Sequence, residues 1–250
     1  MIGDVIGRPG RQAVQNLLPG LRSELGLGMV IANGENAAGG KGLTPQTAEE
    51  ILNCGVEVLT SGNHIWARKE IIPYLDGELP ILRPLNYSPY APGRGYLIKK
   101  GMLILNLVGR IFMGQADCPF RAVDRLLEEI ENKPPIIIVD FHAEATSEKN
   151  AMGHYLDGRV SALVGTHTHV GTIDARVLPQ GTAFITDIGM VGPIDSVIGD
   201  DSEAVVHSFL TQLPHRLIVG RGRTLFNSVL IEIAPSGKAI SIDRIDREVD

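Results

Sequence analysis

Short apolar runs that end in polar, glycine-rich loops recur along the chain, and amphipathic stretches separate them. Met29–Ala32, Val56–Thr60, Ile136–Val139, Val160–Val164 and Ala183–Asp187 read as buried strands, because aliphatic and β-branched residues are bounded there by turn residues. Between them, Arg11–Leu25 places Val14, Leu17, Leu18, Leu21 and Leu25 on one helical stripe, which Pro19 is expected to kink or divide. Thr44 followed by Pro45 marks a helix start, and Gly55 marks its end. Further helices are expected through Arg68, Glu70, Ile71 and Leu75, over Arg121–Glu131, over Ser147–Leu156 and over Glu203–Leu213.

Two hairpins interrupt this alternation. Gly95–Val108 holds two strand-like runs around Lys99-Lys100-Gly101, and Leu225–Ile233 with Ala239–Ile245 is joined by Pro235-Ser236-Gly237-Lys238. Ile188–Asp200 reads as a long loop. Helical crossovers mixed with hairpins predict an α/β protein, a four-layer α/β/β/α sandwich with two mixed β-sheets packed face to face rather than one doubly wound sheet. No repeat, low-complexity stretch or linker breaks residues 1–250, so a single domain is expected. The start is short. Only Met1-Ile2 precede Gly3-Asp4, so either the first strand is very short or the coding start lies a little upstream.

The apolar runs end in residues that can bind metal or move a proton. Asp4 ends the first, Glu35 and Asn36 follow the second, Asn63 and His64 the third, His142 the Ile136–Val139 run, and His167 with His169 the Val160–Val164 run. Side chains at the carboxyl ends of α/β strands converge although they are distant in sequence. In extended backbone, residues two apart point the same way, so His167 and His169 are expected to aim into one small volume. Each residue also has an ordinary reading. Asp4 could cap a turn, Glu35 and Asn36 could be loop polarity, Asn63 could make an Asx-turn, and His142 could be a satisfied core histidine. All of them together would require independent coincidences at every strand end.

Mixed carboxylate, amide and imidazole donors suit Fe, Mn or Zn better than Mg or Ca. The donors exceed what one ion needs, so two ions are expected, with Glu35 between the Asp4 and Asn63 strands as the bridging carboxylate. Such a pair activates a bridging water and stabilises charge on a phosphoryl group.

Composition narrows the partners. Lys and Arg number 23 against 29 acids, giving a net charge of -6 and no basic tract, which does not favour nucleic-acid binding. Only Cys54 and Cys118 occur, without a C-x-x-C, as in a reducing compartment. No signal peptide and no long apolar stretch is found, so a cytoplasmic protein without membrane attachment is expected. Hydrophobic residues at 44% permit a homo-oligomer, a dimer or tetramer. Gly39-Gly40-Lys41-Gly42 lacks the spacing of a P-loop and leads into the helix capped by Thr44.

Gly3-Asp4, Gly62-Asn63-His64, His142 after a strand and Gly165-Thr166-His167-Thr168-His169 resemble the calcineurin-like metallophosphoesterases. Longer motifs resemble the bacterial YmdB-type phosphodiesterases over essentially the whole chain. They are Asn33-Gly34-Glu35-Asn36-Ala37-Ala38-Gly39-Gly40, Ser61-Gly62-Asn63-His64-Ile65-Trp66, Arg83-Pro84-Leu85-Asn86-Tyr87, the segment from Asp140 to Lys149, and Asp187-Ile188-Gly189-Met190. Ile6, Glu35 and Ile65 depart from the wider superfamily, which usually has histidine, aspartate and an acid at those places. All three match the YmdB-type subgroup.

The resemblance implies one metal held by Asp4, Glu35, Asn36 and His169 and another by Glu35, Asn63, His142 and His167. Iron is the first expectation, with manganese or zinc next. It also implies hydrolysis of cyclic nucleotides, notably 2',3'-cyclic nucleotides, by a hydroxide shared between the ions, with His64 as general acid on the leaving ribose oxygen. Arg8, Arg110 and Phe141 are candidate substrate contacts. Trp66 and Tyr155 are assigned to packing or subunit contact, and Asp187 with the Gly189–Gly199 loop to support of the ligands or the rim. Two other functions share these residues: a broader phosphomonoesterase or nucleotidase, and a regulatory protein that keeps its metal centre for stability. His64, outside the implied metal shells, argues against the last.

Overall fold

Strands as apolar as Ile136–Val139 need cover on both faces, and the chain supplies it with two sheets back to back and helices outside each. A computed structural model describes residues 1–214, 216 and 218–249. The first half runs β1 (Ile2–Val5), α1 (Gly7–Leu25), β2 (Ile31–Asn33), α2 (Pro45–Asn53), β3 (Val58–Thr60), a 3-10 helix (Lys69–Tyr74), β4 (Tyr96–Lys99) and β5 (Met102–Val108). It continues through α3 (Pro119–Glu129), β6 (Ile136–His142), α4 (Thr146–Leu156), β7 (Ala162–Thr166), β8 (Arg176–Val177) and β9 (Ala183–Ile185). The last part holds β10 (Met190–Pro193), α5 (Ser202–Thr211), β11 (Thr224–Phe226), β12 (Val229–Ile233), β13 (Ala239–Arg244) and β14 (Arg247–Val249).

One sheet has the order β14-β11-β10-β1-β2-β3 and the other β4-β5-β6-β7-β9-β8, while β12 and β13 pair as a separate ribbon. Both sheets are mixed: the second has a parallel centre with antiparallel edges, while the first is parallel from β10 to its β3 edge and antiparallel only at β11 and β14. Ile31 and Val58 of the first sheet meet Ile104, Ile138, Val164 and Ile185 of the second in the central core. Outside the first sheet, Val14, Leu18 and Leu21 of α1 and Ile51 of α2 cover Val5, Ala32 and Leu59. Outside the second, Val123 and Leu127 of α3 and Met152 and Leu156 of α4 cover Leu103, Val139 and Leu163. The result is the expected α/β/β/α sandwich.

Several elements differ from expectation. α1 starts at Gly7 and runs through Pro19 unbroken. Pro19 and Gln15, whose carbonyl loses its helical donor, are both exposed, so water can take up that carbonyl. The segment around Ile71 is 3-10 rather than α, with Pro73 inside it. The presumed loop Ile188–Asp200 contains β10, fully buried and parallel to β1. The apolar run from Leu225 is two strands rather than one. β11 joins the first sheet, the chain breaks at Asn227-Ser228, and only β12 pairs with β13. β1 is indeed short, at four residues, and the Met1 amine donates to the Val229 carbonyl at 2.6 Å, with burial lowering its pKa to about 5. Among the described residues no helix is long and apolar enough to cross a membrane.

Candidate metal centre

The carboxyl ends of β1, β2 and β3 in one sheet face those of β6 and β7 in the other. Asp4 lies within β1, Glu35 and Asn36 in the turn after β2, Asn63 and His64 in the turn after β3, His142 at the end of β6, and His167 and His169 just beyond β7. The β3 turn closes tightly on β6. A Cβ at Gly62 would lie 2.1 Å from Cδ2 of His142, so only glycine allows that approach.

Two groups of donor atoms result. His142 Nε2 faces Asn63 Oδ1 at 3.1 Å, His167 Nδ1 at 3.0 Å and Glu35 Oε1 at 3.1 Å. The ligand-type atoms of Glu35, His142 and His167 all lie within 4.8 Å of one another. In the second group, His169 Nε2 lies 3.2 Å from the Asn36 amide and 3.7 Å from Asp4 Oδ1. The Asn36 amide is in turn 3.4 Å from Glu35 Oε1, so Glu35 touches both groups.

In the first group the facing lone pairs of His142, His167, Asn63 and Glu35 repel unless a cation or protons lie among them, whereas in the second the Asn36 Nδ2 amide donates to Glu35 and faces His169. Asp4 Oδ1 gives the sharpest sign, being a buried carboxylate oxygen with no hydrogen-bond partner. The residues therefore fit a metal centre, and their mixture of N and O donors is the kind that holds Fe, Mn or Zn.

His167 and His169 reach the centre differently from the expected extended pair. Both have positive φ, 107° and 64°, so strand alternation does not apply. The reversal turns them apart, one toward His142 and one toward Asp4 and Asn36.

Each clustered histidine has its other nitrogen occupied, which orients the ring. The Thr166 hydroxyl donates to Asp140 Oδ1 at 2.7 Å and accepts from His142 Nδ1 at 2.9 Å. His167 Nε2 pairs with Glu144 Oε2 at 3.1 Å, and His169 Nδ1 donates to the Ile198 carbonyl at 2.7 Å. Asn33, wholly buried, donates to Asp140 Oδ2 at 3.3 Å and accepts from the Glu35 N–H at 3.1 Å, tying the two sheets together beneath the centre. Asp187 serves the loop rather than a ring. It accepts from Thr168 N–H at 3.0 Å and from the buried Lys149 ammonium at 2.6 Å. None of these supports was assigned from sequence except Asp187, because their partners come from distant segments.

The electrostatics follow from burial and crowding. Burial alone would raise Asp4, but the nearby His169, the charge of His142 and the His167 N–H bond outweigh it and hold the carboxyl well below the usual range. Burial pushes Asp140 up to about 6. Burial opposes a charge on His142, yet Glu35 overcomes it and raises this pKa. His167, desolvated and next to His142, falls to about 3, since two rings this close cannot both be cationic. His169 is raised to about 9, because Asp4 outweighs its burial.

His64 stands at the edge. Its N–H donates to Glu35 Oε2 at 2.9 Å, and Nδ1 lies 2.8 Å from Asn36 Oδ1, leaving Nε2 with no partner among the described residues. Burial, reinforced by the charges of Lys41, His142 and His169, lowers its pKa despite Glu35. Trp66, two residues on, packs with Tyr87 at 6.1 Å. Arg8 is exposed, one residue past Gly7, whose N–H donates to the Asn36 carbonyl at 2.9 Å. Arg110 is exposed, with its backbone N–H held by Glu148. Phe141 is the correction among the substrate candidates. It is wholly buried in the outer core under α3 and α4, because it alternates with His142 along β6.

Two mixed sheets with imidazoles, carboxylates and amides gathered at their facing strand ends define a calcineurin-like metallophosphoesterase, a metal-dependent phosphoester hydrolase. More narrowly, the chain belongs to the YmdB-like protein family, whose model matches residues 1–245. It is 45% identical over 249 residues to the 2',3'-cyclic-nucleotide 2'-phosphodiesterase of Bacillus subtilis (strain 168), covering 98% of this chain and 94% of that one. The crystal structure of a hypothetical protein from Thermus thermophilus superposes with a TM-score of 0.93 at 44% identity, covering 99% of this chain and 97% of that one. A Mycoplasma pneumoniae protein solved as a novel phosphatase gives the same TM-score of 0.93 at 34% identity, covering 99% and 92%.

Proposed function

We propose that the protein hydrolyses 2',3'-cyclic nucleotides at a dinuclear centre. The observation that carries this reading is the position of His64, fixed beside the donor cluster through Glu35 and Asn36 with Nε2 left over for a substrate. The relative at 45% identity, named for the 2' bond of such nucleotides, supports the substrate class. Asp4, Glu35, Asn36 and His169 would hold one cation, and Glu35, Asn63, His142 and His167 the other. When bound, the cations supply Lewis-acid activation of water and neutralise charge on the phosphoryl oxygens.

The chain's own residues do the rest. Thr166, Glu144 and the Ile198 carbonyl keep a lone pair of each ligand histidine aimed inward. A ribose alkoxide is a poor leaving group, and His64 in its imidazolium form gives it the Nε2 proton while Nδ1–H stays on Asn36 Oδ1. The lowered pKa makes that proton easier to release and favours the acid form at lower pH. The mixed donor set suits iron, manganese or zinc alike, and iron is placed first on the resemblance to the YmdB-type phosphodiesterases. Cys54 and Cys118, both unpaired, suit a cytoplasmic protein. The exposed stripe of Val206, Phe209 and Leu210 on α5 supports a homo-oligomer.

A side-by-side assay of a 2',3'-cyclic nucleotide and its 3'-monophosphate with metal-loaded protein tests the reading. The cyclic diester is expected to turn over and the monoester to accumulate. Faster release of inorganic phosphate from the monoester would assign a phosphomonoesterase instead.

A further inference from the structure

Tyr87, which senses the Glu35 charge, also lines a cavity of about 890 Å³ away from the donor cluster, between the loop after Arg83, β4 and one face of α3 along its length. Its lining is out of keeping with an acidic chain. Arg83, Arg94, Arg121 and Arg125 all border it, against Asp117, Glu129 and Glu131. Among the described residues the arginines in ion pairs are others, and of these four Arg94 donates to the Gly77 carbonyl, which leaves Arg83, Arg121 and Arg125 as the cavity's cations.

Arg83 is the strongest sign. It is only 6% exposed, and its terminal nitrogens donate to the carbonyls of Pro84, Leu85 and Ala91. Its Nε is buried and donates to nothing. Its hydrogen bonds all go to neutral carbonyls, and Asp76 acts on it only through its charge, so this buried guanidinium is incompletely compensated. Arg121 and Arg125 are four apart and share a face of α3. The cavity runs along this face of α3 from Cys118 to Ile130, so the two arginines sit midway along its wall and the acids Glu129 and Glu131 lie at the far end.

We propose that this cavity binds the phosphate group of a nucleotide, with Arg83, Arg121 and Arg125 as counter-charges and Tyr87 and Tyr96 as its aromatic wall. The phosphate has two sources of equal chemistry, the neighbouring nucleotide of a substrate whose cyclic end lies at the metal centre, or a separate nucleotide. Only the first source rests on the phosphodiesterase reading.

Calorimetric titration of inorganic phosphate into the protein tests the site. Metal-stripped protein should bind one equivalent, a result independent of any turnover, and metal-loaded protein a second at its metal centre. Arg121→Ala with Arg125→Ala, both at exposed helix positions, should weaken the equivalent seen in stripped protein by at least roughly tenfold, with Arg121→Glu as a charge-reversal check. Absence of binding to stripped protein, or binding that these substitutions leave unaltered, overturns the proposal. A second arm sorts the sources on the loaded protein. A dinucleotide with a terminal 3'-phosphate that binds one to one, roughly tenfold or more tighter than the mononucleotide 3'-phosphate, assigns one chain spanning both places. Two equivalents of mononucleotide with no gain for the dinucleotide assign a separate ligand. Either result supports a phosphate site.

Discussion

Thr166 decides which nitrogen of His142 faces the metal centre. Its single hydroxyl proton goes to Asp140 at 2.7 Å, so toward His142 Nδ1, 2.9 Å away, it can only accept. His142 is thereby held as the Nδ1–H form with its Nε2 lone pair free. Thr166→Val keeps the shape and removes this constraint. Metal affinity is expected to fall roughly 10- to 100-fold with the fold intact. Metal content after dialysis against graded free metal, alongside circular dichroism, checks it.

Glu144 acts the same way on His167, from the solvent side. Its carboxylate meets Nε2 at 3.1 Å and is 48% exposed, so its hold is weaker than that of the buried Thr166. Glu144→Ala is expected to lower metal affinity, but by less than Thr166→Val does. A larger loss in the Glu144 variant, read in the same dialysis series, would contradict this ranking.

His64→Ala should separate chemistry from metal binding. The ring borders Asn36 and Glu35 without being one of the would-be ligands itself, and the His64 N–H bond to Glu35 is made by the backbone and survives the substitution. Metal content is expected to stay at the wild-type level, while kcat on a cyclic nucleotide drops by roughly 10²- to 10⁴-fold. Normal turnover in this variant would remove His64 from the proton-donating role.

The Lys149–Asp187 pair is a stability prediction. Both side chains are fully buried and 2.6 Å apart. Lys149→Met preserves the packing of the stem but strands a buried carboxylate, at about 3–5 kcal/mol. A thermal melt should show Tm lower by roughly 10 °C. The double variant Lys149→Met, Asp187→Asn should recover part of that loss.

Glu57 gives a pH dependence away from the metal centre. Burial would raise its pKa, but Lys100, the Val30 N–H and Arg22 together hold it below the ordinary value. A depressed carboxyl stabilises the fold above its unfolded pKa, about 4.3, and loses that contribution as pH falls through the folded value. Glu57→Gln should therefore lower stability by about 1 kcal/mol at pH 7. The two melting curves should converge in acid, and a gap that persists there would count against the assignment.

The donor residues were legible because each follows an apolar run that could only be a buried strand, and parallel strands bring such ends together. Asp4, Glu35, Asn63 and His142 needed no more than that. The His167 and His169 geometry was not legible, since positive φ at a non-glycine residue leaves no trace in hydrophobic periodicity. β10 was hidden by Gly189, Gly192 and Pro193, turn formers that here bound or end a strand pressed between β1 and β11. Asn33, Asp140 and Thr166 look like ordinary strand polarity until the two sheets are placed back to back. Pro19 misled in the opposite sense, because a proline on the wet side of a helix is tolerated.

The short reversal over residues 167–169 is tethered at every step. Asp4 takes the His167 N–H, Asp187 takes the Thr168 N–H, and the Ile198 carbonyl takes the His169 ring. Three anchors from three separate segments thus fix the main chain that carries both imidazoles, and the entropy of ordering that reversal is lost as the two sheets come together.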